Sequence, residues 1–339
     1  MKDNSERIMK DSSERNNFQG HFFRSLIAVF SVWFCSIAAA SGQELIADRA
    51  QDSVYGFSYF KDNGADGLHL AYSYDGLQWH ALKGDQSFLK PELSADKLMR
   101  DPCIIRGADG IFHMVWTVSW TARGIGYAHS RDLIHWSPQQ YIPVMEHEAK
   151  ARNTWAPEIT YDAQKAEYLI YWATTITGHF PETFVSADNG YNHRIYAVTT
   201  KDFKHFSSTF LLYEPGFNVI DSHILRQGDR WLMFLKDETR EPAQKNLKIA
   251  FAENLAGPYS AASAPISNEL WAEGPTAVYR EGAYWLYYDR YIDHHYALMR
   301  SADLTHWEDL TPALKMPLGI RHGTIFKLST QELAKLQSL

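Results

Sequence analysis

The sequence predicts an all-β protein: a five-bladed β-propeller closed by pairing of the carboxyl-terminal strand with amino-terminal strands. Three observations carry this reading. One structural unit recurs five times, as self-comparison of the chain shows. Each copy consists of short aromatic and β-branched runs between Gly, Asp and Asn turns, the pattern of antiparallel strands. The two ends of the chain hold complementary fragments of a single copy.

The first copy starts at Arg100-Asp101-Pro102, continues through runs 111–116 and 125–130, and ends at Trp136. The second opens at Ala156-Pro157-Glu158-Ile159, continues through 168–172 and 195–199, and ends at Phe206. The third opens at Ile220-Asp221-Ser222, continues through 231–235 and 247–252, and closes at Tyr259. The fourth opens at Ala272-Glu273-Gly274-Pro275, continues through 284–288 and 296–301, and ends at Trp307. Near the amino end, runs 54–59 and 68–73 leading to Trp79 form a copy without its opening strand, and run 322–328 supplies an unattached one. Four-stranded units repeated radially make a propeller. Closing the ring with the last strand removes edges that would invite aggregation. A β-sandwich is the alternative, but it gives no reason for the recurring Ala-x-Ser-x-Asp-Leu-x-x-Trp phrase.

The 339 residues are 45% hydrophobic and 14% aromatic, with a net charge of −7, which suits an exported globular protein built as one domain over 44–339. The acidic balance and the lack of Lys/Arg runs argue against a nucleic-acid partner. Residues 26–40 are apolar, follow Arg24 and end in Ala38-Ala39-Ala40, the pattern of a signal peptide over 1–40 cleaved after Ala40, with Met9 as an alternative start. The stretch is shorter than the ~20 residues of a transmembrane span. The mature chain is therefore expected to be periplasmic or secreted, monomeric and free of the membrane. It would keep only Cys103, so no intrachain disulfide is expected.

The first strand of each blade lines the central channel, and all first strands open on the same face. Asp101, Asp221 and Glu273 thus read as carboxylates at one equivalent position of three blades. The third and fourth blades are neighbours, so Asp221 should lie beside Glu273, with Asp101 approaching from across the channel mouth. Two close negative charges resist coexisting, so Asp221 is expected to raise the pKa of Glu273 and fit it to donate a proton. Asp101 would stay ionised and act as base, flanked by Arg100. Carboxyls ~6.5–9.5 Å apart admit a water and give inverting glycoside hydrolysis, whereas ~5 Å gives a retaining route. Inversion is the favoured reading.

With these motifs in blade order, the chain resembles glycoside hydrolase family 43, five-bladed propellers acting on arabinose- and xylose-containing polysaccharides. The resemblance covers nearly the whole chain beyond the leader. It implies Asp101 as general base, Asp221 as pKa modulator and Glu273 as general acid. Asn153-Thr154-Trp155-Ala156-Pro157-Glu158 looks like the family's second-blade motif, and Arg321-His322-Gly323 like its fifth-blade histidine motif. The family often holds a calcium ion in the channel near such a histidine, which would make His322 a metal ligand. Calcium prefers several oxygen donors, and His322 is the only channel donor the sequence names. The chemistry itself requires no cofactor.

Strand alternation places the connections between second and third strands beside the pocket: 117–123, 173–192, 236–246 and 289–295. Trp120, Phe180, Tyr291 and His294 are their pocket candidates, and the second loop is long enough to be functional. Trp155 reads as either a sugar platform or packing, and Glu158 as either a sugar contact or a hydrogen-bonding channel residue. Tyr127, Trp136, Trp231, Trp285 and Trp307 read as packing, and Cys103 as an inert buried thiol. No Gly-x-Ser-x-Gly elbow or His-Glu-x-x-His spacing is present, which removes serine hydrolases and zinc peptidases. The fructan-cleaving propellers share an Arg-Asp-Pro string but add Asn-Asp-Pro and Glu-Cys motifs that this chain lacks. A non-catalytic carbohydrate-binding propeller is the rival of another class. The expected partner is an oligo- or polysaccharide, attacked at a terminal α-L-arabinofuranosyl unit, with β-xylosyl and galactosyl units as alternatives.

Overall fold

The computed structural model describes residues 53–267 and 270–339. The leader read at 1–40 lies outside the described residues. Among the described residues, β1 (Ser53–Lys61), β2 (His69–Ser73) and β3 (His80–Ala81) come first. The first blade follows as β4 (Arg100–Arg106), β5 (Phe112–Thr117), β6 (Ile125–Ser130) and β7 (Gln140–Ile142). The second is β8 (Trp155–Asp162), β9 (Glu167–Thr174), β10 (Arg194–Thr200) and β11 (Phe210–Tyr213), and the third is β12 (Val219–Gln227), β13 (Arg230–Asp237) and β14 (Asn246–Ala252). The fourth is β15 (Ala272–Arg280), β16 (Ala283–Arg290), β17 (His295–Ser301) and β18 (Glu308–Asp309). Then come β19 (Ile320–Ser329) and helix α1 (Thr330–Gln337).

The sheets are ordered β19-β1-β2-β3, β4 to β7, β8 to β11, β12 to β14 and β15 to β18, which is the expected ring of five blades closed by the last strand. The inner strands β4, β8, β12, β15 and β19 contact one another in that cycle. Five apolar clusters fill the gaps between neighbouring blades, including Met114, Trp116 and Phe326 between the first and fifth, and Phe57, Trp285 and Leu298 between the fourth and fifth. Trp231 and Trp285 belong to these cores, with Trp136 and Trp307 packed at their margins. Among the described residues, Cys103 is buried and has no disulfide partner.

The third blade departs from four strands. Beyond β14 the chain passes a cis Gly257-Pro258 bond and runs irregularly, yet the amides of Ser260, Ser263 and Ile266 still donate to Phe251, Ile249 and Leu247 carbonyls at 2.7–2.8 Å. The outer edge is thus bonded although no fourth strand forms. The recurring Ser-x-Asp phrase has a local cause: Asp75, Asp132 and Asp303 each accept backbone N–H bonds two and three residues on, together with a Ser hydroxyl. Such turns cap the third strand of a blade.

One irregularity recurs in all five blades. Where each inner strand starts, two of its residues oppose a single residue of the second strand: Asp101-Pro102, Ala156-Pro157, Asp221-Ser222, Gly274-Pro275 and His322-Gly323. These are β-bulges, which re-aim side chains and gather near functional sites. The first bulge residue has positive φ in four blades: Asp101 (53°), Ala156 (47°), Asp221 (52°) and Gly274 (57°).

Because β19 both completes the fifth blade and carries its bulge, truncation before Arg321 is expected to leave β1 and β4 without their inner neighbour. The shortened chain should lose its cooperative thermal transition or aggregate, as size-exclusion chromatography and a melting scan would show. A monomeric product that melts at the full-length temperature would contradict ring closure.

Candidate active site

The bulges sort the channel residues into layers. Just before each bulge stand Arg100, Trp155, Ile220, Glu273 and Arg321; the first bulge position holds Asp101, Ala156, Asp221, Gly274 and His322; just after come Cys103, Glu158, His223, Thr276 and Thr324. The first layer and most of the second line one pocket of about 250 Å³, joined by Thr117, Trp120, Lys236, Glu238 and Tyr291.

This register corrects the expectation that the three carboxylates are equivalent. Asp101 and Asp221 are, but Glu273 stands one residue earlier, where other blades carry Arg100 and Arg321. The reason is steric: the His322 ring packs against Gly274, and a Cβ at 274 would lie 2.5 Å from the ring. No side chain fits at the fourth bulge, so that blade offers its carboxylate from the layer before.

In the bulge layer, His322 sits between two carboxylates, its Nδ1 3.4 Å from Asp101 and 3.9 Å from Asp221. Thr117 Oγ1 donates to Asp101 Oδ2 at 2.8 Å while accepting the Ala156 amide at 2.8 Å, tying the first blade to the second. Asp221 Oδ2 accepts the Gly274 amide at 3.0 Å. Burial raises the Asp221 pKa to about 6, with Glu273 and Asp101 adding to it and His322 and Lys236 opposing. Burial disfavours the His322 cation, but Asp221, Asp101 and Glu273 outweigh it and raise the histidine's pKa.

Glu273 is held by cations. Lys236 Nζ lies 3.2 Å from Oε2, and Arg321 Nη2 lies 3.0 Å from Oε1 while Arg321 Nε reaches Asp289 at 2.7 Å. Burial alone would raise the Glu273 pKa, yet Lys236, Arg321 and His322 outweigh it and hold the carboxyl below its ordinary value. The expected ordering is thus reversed, because two cations reach Glu273 directly whereas Asp221 is deeper. Lys236 in turn meets Glu238 at 2.7 Å, and Glu238 meets Lys245, which also bonds Asp188 of the long second-blade loop. An alternating chain of charges therefore runs from that loop to Glu273.

The pocket includes Arg100, Trp120, Trp155, Tyr291, Arg321 and His322 as expected, but not Glu158, Phe180 or His294. Glu158 is one layer deeper, where His223 Nδ1 at 2.7 Å and the Tyr171 hydroxyl at 3.0 Å satisfy it. Phe180 packs 4.3 Å from the buried Arg194 guanidinium, and His294 is exposed in the turn before β17. Sequence reasoning missed Lys236, Glu238, Thr117 and Asp289. A lysine directly following the apolar run 231–235 is the signal that could have found Lys236, since its end of β13 faces the Ile220 position.

For calcium the fit is poor. Among the described residues no three His, Cys, Asp or Glu side chains are grouped to hold a metal ion. His322 offers a ring nitrogen, whereas calcium takes oxygen ligands.

With fold and pocket in view, the chain belongs to the glycoside hydrolase family 43-related family: residues 52–334 match the family model, described as a probable glycosyl hydrolase domain. Among solved structures it is similar to a mutant of a GH43 protein from Bacillus licheniformis, with 19% identity, TM-score 0.53, and coverage of 70% of this chain and 47% of that one. It is also similar to an α-L-arabinofuranosidase from Lactobacillus brevis, with 19% identity, TM-score 0.49, and coverage of 62% and 72%. A third is an exo-β-1,3-galactanase from Phanerochaete chrysosporium, with 12% identity, TM-score 0.49, and coverage of 77% and 54%. The Bacillus likeness is one of fold, and the chain spans about half that protein's length. No curated protein matches the chain.

The raised Asp221 pKa makes a stability prediction. Between its ordinary 3.8 and about 6, folded Asp221 keeps a proton that the unfolded chain has released. That contribution is complete below pH 3.8 and is lost as pH rises through about 6. Asp221→Asn has no such proton to lose, so its melting temperature relative to wild type should climb from pH 4 to 6. Parallel melting curves across that window would show that Asp221 ionises normally.

Proposed function

We propose that the protein is an inverting, exo-acting glycoside hydrolase that releases terminal pentose units, with α-L-arabinofuranosyl as the preferred unit. The observation that carries this reading is the gathering of Asp101, Asp221 and Glu273 around one small pocket with His322, Lys236 and Arg321 interleaved among them. A pocket of about 250 Å³ is below the ~300–1,000 Å³ typical of drug-sized ligands, which favours one terminal sugar over an internal stretch of chain. Trp120 and Trp155, in edge contact at 5.5 Å, offer apolar faces at its wall.

Asp101 is the general base. Its carboxylate is oriented by Thr117 and accompanied by His322, so it can take a proton from water. Glu273 is the general acid, and Lys236 and Arg321 hold its carboxyl below its ordinary value against the effect of burial. A bound sugar displaces water from around it and raises its proton affinity, because desolvation penalises the charged form. Asp221 orients the fourth-blade bulge through Gly274 and, by its own charge state, tunes both neighbours. Transfer to water needs no group beyond these side chains.

Glu273→Gln is expected to lower turnover of poorly activated glycosides by roughly 10²–10⁴-fold while sugar binding persists, since an amide cannot donate the proton. Titration calorimetry beside steady-state kinetics checks this, and near-normal turnover of a natural oligosaccharide would remove Glu273 from the mechanism. Aryl glycosides of arabinofuranose, xylopyranose, galactofuranose and galactopyranose rank the sugars. Binding without cleavage of any of them would favour the non-catalytic reading.

The stereochemical outcome is a separate test. Proton NMR of the first-formed sugar should show the inverted anomer, with water delivered by Asp101 from the face opposite Glu273. A retained anomer would make Asp101 a nucleophile.

A further inference from the structure

Four basic side chains line the pocket, and three of them face carboxylates. Lys236 meets Glu238 and Glu273, Arg321 meets Glu273 and Asp289, and His322 meets Asp101 and Asp221. Arg100 is different. Among the described residues it has no ion-pair partner, and its one side-chain hydrogen bond, Nη1 to the neutral Asn63 Oδ1 at 3.0 Å, uses a single N–H of five. Its guanidinium is nonetheless fixed, lying 4.7 Å from the Phe60 ring and 4.3 Å from the Trp120 ring. Asp96 accepts from Ser119 Oγ at 2.5 Å and the Trp120 amide at 3.3 Å, holding Trp120 in place.

The position is as informative as the missing partner. Arg100 stands in the same register layer as Glu273 and Arg321, ahead of the bulge layer that carries Asp101, Asp221 and His322. Trp120 beside it is 42% exposed, whereas Asp221 and His322 are each 6% exposed. Arg100 and Trp120 therefore mark the mouth and the bulge layer the floor. In an exo-acting pocket the released unit occupies the floor and the rest of the glycan leaves through the mouth.

We infer that Arg100 and Trp120 form an anion-binding subsite at the pocket mouth, which takes a carboxylated sugar, a uronate, in the glycan next to the released unit. The inference rests on the proposed function for its orientation and deepens it to acidic glycans as the substrate class. A guanidinium held against aromatic rings presents a planar fork of donors, and a carboxylate is the sugar substituent that matches it with two parallel bonds. The exposed Trp120 ring supplies an apolar face for the same sugar. Once a ligand covers the mouth, a neutral hydroxyl pair would leave the charge uncompensated where water is excluded, which a carboxylate avoids.

The test uses the full chain and needs no turnover. Methyl β-D-glucuronoside and its neutral methyl ester are titrated into wild type, Arg100→Met, Arg100→Lys and Trp120→Ala, with binding followed by NMR at low and high salt. Wild type should bind the acid about tenfold more tightly than the ester at low salt, the size expected of a charge-assisted bond, and salt should erode the preference. Arg100→Met should abolish it, Arg100→Lys should keep part of it through charge without the fork, and Trp120→Ala should weaken acid and ester alike. Equal or undetectable binding of the two forms by wild type, or a preference that survives Arg100→Met in a protein that melts normally, overturns the inference. Hydrolysis of neutral aryl glycosides without a uronate preference sinks only this subsite. A uronate preference in a protein that cleaves no glycoside sinks only the proposed function.

Discussion

The antiparallel pairing of β19 with β1, running from Ser53↔Ser329 to Lys61↔Ile320, is the contact on which the rest of the molecule depends. It joins the first and last described strands into one blade, so that β4, β8, β12, β15 and β19 form an uninterrupted cycle of inner strands. Without closure the starts of those strands would have no common axis. The same strand also delivers Arg321 to Glu273 and Asp289, and His322 to Asp101 and Asp221. One strand thus serves both ring closure and the charged pocket.

The bulges convert that symmetry into chemistry. A regular inner strand would alternate its side chains between the two faces of its blade, whereas an extra residue at each strand start re-aims successive positions. Three of the four positive-φ residues there are not glycine, and each such conformation costs about 1–2 kcal/mol relative to an ordinary one. Strain of this kind persists only where surrounding bonds over-determine it, and here Thr117, the Gly274 amide and the His322 ring do so.

Burying so many charges is tolerable because nearly all are matched. Lys236 and Lys245 are 2% and 1% exposed, and each lies between two carboxylates, with Glu238 common to both. Removing one member would strand its neighbours without water, which typically destabilises a protein by about 3–5 kcal/mol. The network also sets the carboxyls apart: burial raises the Asp221 pKa to about 6 against the opposition of His322 and Lys236, whereas at Glu273 burial is outweighed by Lys236 and Arg321, which touch it directly. One layer deeper, His223 Nδ1 lies 2.7 Å from Glu158 Oε2.

The sequence by itself determined the ring. Strand periodicity and the five repeated phrases are local properties, set by which residues suit a pleated, half-buried strand and which cap a turn. They sufficed to place Asp101, Asp221, Glu273, Arg321 and His322 at strand starts on one axis. Tertiary structure decided what followed from one-residue offsets and from contacts across blades. Glu273 stands a layer ahead of the other two carboxylates because the His322 ring, 48 positions away from Gly274 along the chain, fills the space a side chain there would need. Glu158 dropped out of the pocket because a bulge moves the following residue one layer deeper, and Phe180 because Arg194 claims its ring. The lysine that governs Glu273 comes from another blade, and pKa depends on such through-space distances, which no spacing along the chain encodes.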